Sequence, residues 1–592
     1  MGSRYWYYFL MLRRAYQQYE NHVKIEISMN DIVNLFYCTQ RNAKIILNKL
    51  MEKNLIEFTP GRGRGNRSTI LFLQHFNECL RKRIEKLLNE NEINKAMELV
   101  KEFGGGTDVE DYFIKRITHF FGYNKIQTNQ DELELLRFPI FRPITTVDPS
   151  QIFFDFDAHL VTQVFNTLVT YNASSDSFEG CLAHAWESNE DKTQWLFFLY
   201  KQVKFHNGKE FTAEDVQKNI QRLEQSPHKW LVEDIIEVEL KSKYSLLIKL
   251  KNPNHLFLHF VSYSPMSIVD TSKSYEGFAQ YPIGTGPFKF EKIQSNVCEL
   301  IAYDAYFQSR PHLDKVEIIK MSENLKESLG DWGKIVMDTG EIEIPHHSNL
   351  KATQAVFSGT NILSLNTRKG PLQNEKFREY ICQIIDREEL TKLGDPRLRP
   401  AYGFILYGQE CKESERKSLY SNKEFLKTMG YHGESLRLTT YERHVLDAKL
   451  IQKTFNEYGI HLDIKIEDWS TIQKGEHVSQ TDIFLYEGTP NEGIVSVFDL
   501  LFYQEGFIYP LLTDELKLKI KAYVKRITSQ DNSYKRLLKY FELENFLISK
   551  GIVIFLIHKK VDVSYDLTLE GVSINPRMWI DFDKLWYKNE TL

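Results

Sequence analysis

Residues 39–73 constrain this chain more tightly than any other stretch. They open as TQRNAKIILNKLMEKNLI, with Thr39 placed to cap a helix because its hydroxyl can accept from a free amide of the first turn. Ala43, Ile46, Leu47 and Leu50 follow at i, i+3, i+4 and i+7 and make one stripe for burial. Gln40, Arg41, Lys44 and Asn48 fall on the other side. Two short strands are expected next, at 55–58 and 68–73, joined by PGRGRGNR. Glycine lets backbone approach a phosphate, and Arg62, Arg64 and Arg67 bring planar, bidentate donors. A helix with a polar, basic outer face ahead of a basic hairpin reads as the recognition helix and wing of a winged helix-turn-helix. A surface helix with a solvated loop is the plainer alternative.

The residues upstream suit the first reading. Tyr5, Phe9, Leu12 and Tyr16 mark one face of a first helix, and Val23 to Ile27 alternates like a strand. Ser28 with Asp31 resembles a capping pair for a second helix, Asn30 to Tyr37. Helix, strand, helix, tight turn, helix and hairpin is the winged-helix order. Residues 1–75 are therefore expected to bind DNA. Within residues 1–73, eleven Lys and Arg face five Asp and Glu, a balance of +6, so the chain total of −5 leaves −11 elsewhere. A basic head on an acidic body suits a head that meets a polyanion.

At 592 residues the chain needs two to four domains. Residues 76–134 are expected to be a helical spacer, interrupted by Gly104 to Gly106, with a polar linker at 124–134; a plain spacer and a homodimer contact both remain open. The six cysteines form no CxxC pair, and the histidines, His346 and His347 included, show no HExxH spacing. GxSxG and phosphate-loop spacings are absent as well. No metal, cofactor or catalysis is expected. The N-terminus lacks a basic lead and a cleavage site, and no window reaches eighteen apolar residues, so neither signal peptide nor membrane span is expected.

Farther along, FPIFRPITTVDPS (138–150), VFNTLVTYN (164–172) and YPIGTGPFKF (281–290) flank a longer segment, LAHAWESNEDKTQWLFFLYKQVKFHNGKEFTAEDVQKNIQRL (182–223). These segments, with Asn366 and PLQNEKFREYICQIIDREEL (371–390), resemble the large periplasmic-type solute-binding fold of oligopeptide and nickel ABC transporters. The resemblance covers about 450 residues. Without it, Thr212 still reads as an N-cap with Glu214 and Asp215 at the positive end of a helix. Asn207-Gly208 reads as a tight turn, and Gly284 to Pro287 as punctuation before a strand. The second lobe alternates LRLTTYE, HVLDAKLIQKTFNEYG, IHLDIKIED and TDIFLYEG. Ligands of open α/β lobes meet the carboxyl ends of strands, which nominates Tyr441, Arg443, Trp469 and Glu487. Peptide-binding relatives carry aspartates after the last of these strands, whereas here stand Tyr486-Glu487-Gly488-Thr489-Pro490-Asn491. Glu487 is the nearest acid and the one available substitute, so a peptide stays one ligand class among others and is not the required one.

Over its full length the chain resembles the SgrR-like transcriptional regulators. The implied fold class is a multidomain α+β and α/β protein, a winged helix-turn-helix followed by a two-lobed, type II periplasmic-binding-protein-like domain over 135–592. The implied partners are double-stranded DNA and a small cytoplasmic solute, sugar-related or a peptide, with no membrane. A transport receptor whose head binds a protein is the alternative.

Overall fold

The computed structural model describes residues 3–61, 67–90, 92–105, 107–127, 132–141, 143–173, 175–272, 282–294, 297–321, 335–338, 350–352, 356–392, 398–404, 423–468, 471–472, 475–489, 493–566, 569–573, 575, 577 and 579–588. The chain divides into two compact units, residues 1–121 with 321–333 and residues 122–320 with 334–592.

The first unit runs α1 (Ser3–Ala15), β1 (Ile25–Ile27), α2 (Met29–Phe36), α3 (Gln40–Glu52), β2 (Ile56–Thr59) and β3 (Ser68–Phe72), then α4 (Phe76–Asn89), α5 (Ile93–Leu99) and α6 (Asp108–Phe120). The three strands form an antiparallel sheet in the order β1-β3-β2. Both caps form: Ser28 Oγ accepts from the Asp31 amide at 3.1 Å while Asp31 accepts from Ser28, and Thr39 Oγ1 accepts from the Asn42 amide. Ala43, Ile46, Leu47 and Leu50 are all buried, as are Phe9 and Leu12 of α1. Phe9 meets Phe72 edge to face at 6.3 Å. Arg13 is buried too. Its guanidinium lies 4.9 Å from the Phe72 ring centre and donates to the Tyr16 and Tyr19 carbonyls and to Asn21, pinning the loop between α1 and β1.

The second unit begins sooner than expected. The polar run at 124–134 is no linker where it is described, because β4 (Gly122–Gln127) and β5 (Glu132–Ile140) pair antiparallel, with Lys125 and Glu132 bridged at 2.8 Å. A hairpin with one solvated face reads as polar in sequence, which is why it passes for a linker. A mixed sheet follows the order β10 (Phe288–Ile293), β11 (Val297–Ala302), β12 (Lys315–Lys320), β5, β4, and covers α7 (Asp155–Val164). Between β5 and β12 the pairing is parallel. Gly284 and Gly286 pass so close to the end of α7 that a Cβ on either would fall within 2.4 Å of Val164 backbone.

Inserted in this lobe is a four-stranded antiparallel sheet of β6 (Ala183–Ser188), β7 (Gln194–Leu199), β8 (Ile235–Ser242) and β9 (Ser245–Leu250), ordered β8-β9-β7-β6. Helix α8 (Ala213–Leu223) accompanies it, and the Thr212 amide donates to Asp215 at 2.9 Å to start that helix. The other lobe holds β13 (Val356–Leu365), β14 (Leu436–Thr440), α9 (Val445–Glu457), β15 (Leu462–Ile466), β16 (Ile483–Gly488), α10 (Ile494–Phe502), α11 (Asp514–Thr528), α12 (Ser533–Ser549) and β17 (Val553–Asp566). Its sheet runs β17-β13-β16-β14-β15, with β14 parallel to both neighbours. Among the described residues no helix is long and apolar enough to cross a membrane.

Ser28→Ala removes one half of the α2 capping pair. It is expected to cost about 1 kcal/mol, seen as several-fold faster hydrogen exchange of the first-turn amides of α2.

Candidate functional site

The buried stripe of α3 leaves its other side free. Gln40, Arg41, Lys44 and Asn48 are all exposed there, and α3 follows α2 after a turn in which Tyr37 adopts φ +48. Arg67 is exposed at the root of β3, 3.9 Å from Glu26 on the neighbouring strand. Such a surface pair contributes little, so Arg67 stays available. Arg62 and Arg64 lie outside the described residues, as does Trp469. The expected strand limits agree with β2 and β3 to within a residue.

In the second unit the parallel pairing of β14 with β16 brings Tyr441, Arg443 and Glu487 to one place. Arg443 Nη1 and Glu487 Oε2 are 2.7 Å apart, and Glu487 fits only because residue 359 on β13 is glycine; a Cβ there would meet Glu487 Oε1 at 2.7 Å. Tyr441 is buried rather than open to the cleft. Its hydroxyl is 3.4 Å from the Glu487 amide and 3.0 Å from His444 Nε2, while His444 Nδ1 is 3.2 Å from Asp447. Asn361 donates to the same Asp447 oxygen at 2.7 Å. One proton arrangement satisfies the row: the Glu487 amide donates to Tyr441, Tyr441 to His444, and His444 to Asp447. It requires a neutral imidazole. Burial pushes His444 down to about 4, which keeps it neutral.

Sequence reasoning missed His444, Asp447 and Asn361. The His-x-x-Asp spacing at the start of α9 was the available signal, since i and i+3 share a helix face. Two further contributors come from the other lobe and have no sequence signal at all. Thr489, just past β16, donates its hydroxyl to Asp155 at the start of α7, and Arg577 stands 3.8 Å from that carboxylate.

Arg577 also donates to Ser264 and lies over the ring of Tyr263, which leads to a buried junction. Asp499 on α10 accepts from Trp230 Nε1 at 3.1 Å and from Tyr263 OH at 3.0 Å, and sits 3.0 Å from His228 Nδ1. His228 Nε2 faces the Ile152 carbonyl, which only accepts, so a proton must also lie between Nδ1 and Asp499. Phe153 stacks on Tyr503 beside it at 4.4 Å.

Asp499→Ala strands these donors in a dry junction and is expected to cost roughly 3–5 kcal/mol, measured as a lower urea midpoint of the second unit. For His444 the unfolded imidazole titrates near 6.5 while the folded one does so at about 4. The unfolded chain therefore binds more protons between those values, so His444's contribution is intact above about 6.5 and falls away as pH drops toward 4. His444→Gln is expected to flatten part of that acid-side slope in urea titrations run at successive pH values.

Comparison with known proteins bears on both units. Residues 177–503 match the family described as bacterial extracellular solute-binding proteins, family 5 middle, and residues 5–119 match the sugar transport-related sRNA regulator N-terminal domain. The uncharacterized protein YhjP of Bacillus subtilis is 29% identical over 95% of this chain and 96% of its own length. An HTH-type transcriptional regulator SgrR of Photorhabdus laumondii is 25% identical over 96% and 97%. Among solved structures, the periplasmic binding protein DppA of Helicobacter pylori, in complex with the peptide STSA, aligns with 77% of this chain and 98% of its own at TM-score 0.66 and 18% identity. NikA of Brucella suis, in complex with Fe(III)-EDTA, aligns with 76% and 100% at TM-score 0.59 and 18% identity. These structures establish the two-lobed type II binding-protein fold. The chain belongs to the bacterial extracellular solute-binding proteins of family 5, in the SgrR-like arrangement that sets an SgrR-type N-terminal domain ahead of the binding fold.

Proposed function

We propose that this chain is a solute-responsive transcriptional regulator, not an enzyme, whose first unit binds double-stranded DNA and whose second holds a small solute or peptide between its lobes. The observation that carries the reading is α3: its inner face is buried while Gln40, Arg41, Lys44 and Asn48 stand exposed in winged-helix order. Relatives named HTH-type transcriptional regulator SgrR run almost the full length of the chain and support it. Such a regulator works in the cytoplasm, where its DNA is.

In this reading α3 enters the major groove, where side-chain donors and acceptors distinguish base pairs. Arg67 contacts phosphate, together with Arg62 and Arg64 of the wing, which fix position without reading sequence. The solute lies near Arg443 and Glu487 on one lobe and the start of α7 on the other. It acts by binding the closed arrangement more tightly than the open one, and its differential affinity sets how far the population shifts.

Gel-shift titrations on genomic fragments test this reading. Arg41→Ala is expected to lose about 1–3 kcal/mol on the preferred fragment and little on random DNA. Arg67→Ala is expected to weaken both alike and to reduce the salt slope by about one. Equal losses on both DNAs for Arg41→Ala would contradict base reading by α3, and absence of any binding at low salt would remove the regulator.

A further inference from the structure

We propose that a cleft on the first unit, between α1, α2, α4 and α5, is the surface through which two copies of this chain pair. The cleft measures 770 Å³. Its floor and rim are aromatic. Helix α1 carries Tyr5, Trp6, Tyr7 and Tyr8 in succession, although its inward side is already occupied by Phe9, Leu10 and Leu12. A helix that is apolar around most of its circumference needs cover on more than one side. Trp6, Tyr7 and Tyr8 line the cleft, Tyr8 leaning on Phe36 at 5.0 Å. At its edge Tyr37 is 89% exposed, the most exposed of the large apolar side chains described. Aromatic side chains in such positions are what protein interfaces favour.

The charges choose the occupant. Lys95 is already bridged to Glu92 at 2.8 Å, and Glu102 accepts from the Tyr7 hydroxyl at 2.6 Å. That leaves Arg83 on α4 and Glu98 on α5, both lining the cleft and neither in an ion pair among the described residues. A strongly acidic partner would meet Glu98 and a strongly basic one Arg83. A second copy presents both signs. About a twofold axis the same patch faces itself, so Arg83 of each copy meets Glu98 of the other and the contact forms twice. The cleft uses none of the α3 residues assigned to DNA and none of the second unit, so this inference does not rest on the proposed function.

Sedimentation velocity on the full chain over a concentration series tests it. The unmodified chain is expected to dimerise. Arg83→Glu and Glu98→Arg each place like charges together and are expected to weaken association by about ten-fold or more. The doubly reversed chain, R83E with E98R, is expected to regain the dimer. Tyr37→Ser, at a side chain with almost no packing to lose, is expected to weaken it as well, and far-UV circular dichroism checks that each variant is folded. A chain that stays monomeric throughout overturns the proposal. So does a dimer that neither single reversal weakens, or one that the double reversal fails to restore.

Discussion

Asp499 is the constraint on which the second unit depends. A carboxylate withdrawn from water costs several kcal/mol unless donors replace its hydration, and here His228, Trp230 and Tyr263 replace it together. The acceptor sits on α10 of one lobe, and all three donors come from residues 228–263 of the other. Apolar packing runs on around the junction, joining Phe257, Phe498 and Leu543 in one cluster. This seam has the character of an interior, and wetting it during a functional cycle would be expensive. Asp155 differs. Its side chain is 34% exposed, and Thr489 of the facing lobe donates to it. The contact at Asp155 is therefore wetter than the one at Asp499, whose side chain is 7% exposed.

That geometry gives the residues at the strand ends their meaning. Arg443 and Glu487 neutralise one another, and the row from the Glu487 amide through Tyr441 and His444 to Asp447 has every donor matched to an acceptor. A matched polar network is rigid, because each member holds its neighbour in one orientation. A cationic amino terminus would have to compete with Arg443 for Glu487. Neutral hydrogen-bonding groups would meet no such competition.

How much of this was legible in sequence depends on the range of the interaction. Caps and stripes are local, so Ser28, Thr39 and the four buried residues of α3 could be read directly, and β2 and β3 were placed to within a residue. The rule that ligands meet the ends of strands nominated Arg443 and Glu487, which strand order does set side by side. It failed to foresee that Tyr441 turns inward, since that depends on His444 a single turn away in three dimensions. Asp155, Arg577 and Asp499 were out of reach altogether. Their partners stand hundreds of positions distant, and no local pattern encodes such a meeting. The hairpin at 122–140 passed for a linker because alternation with one wet face, in a run of Lys, Asn, Gln and Glu, has the composition of a solvated loop.

The distribution of charge bears on how two such units share one chain. The basic excess of the head and the acidic excess of the remainder differ in sign, so a polyanion is drawn to one and repelled by the other. At physiological salt the screening length is about 8 Å, far shorter than the span of the binding fold. Repulsion from the acidic remainder therefore acts only on a polyanion that already lies within about that distance of it. Segregation of charge thus favours the head over the remainder as the surface a polyanion meets. A long-range field carries no sequence information, so discrimination between bases would need short-range groups of the kind exposed on α3, Gln40, Arg41, Lys44 and Asn48.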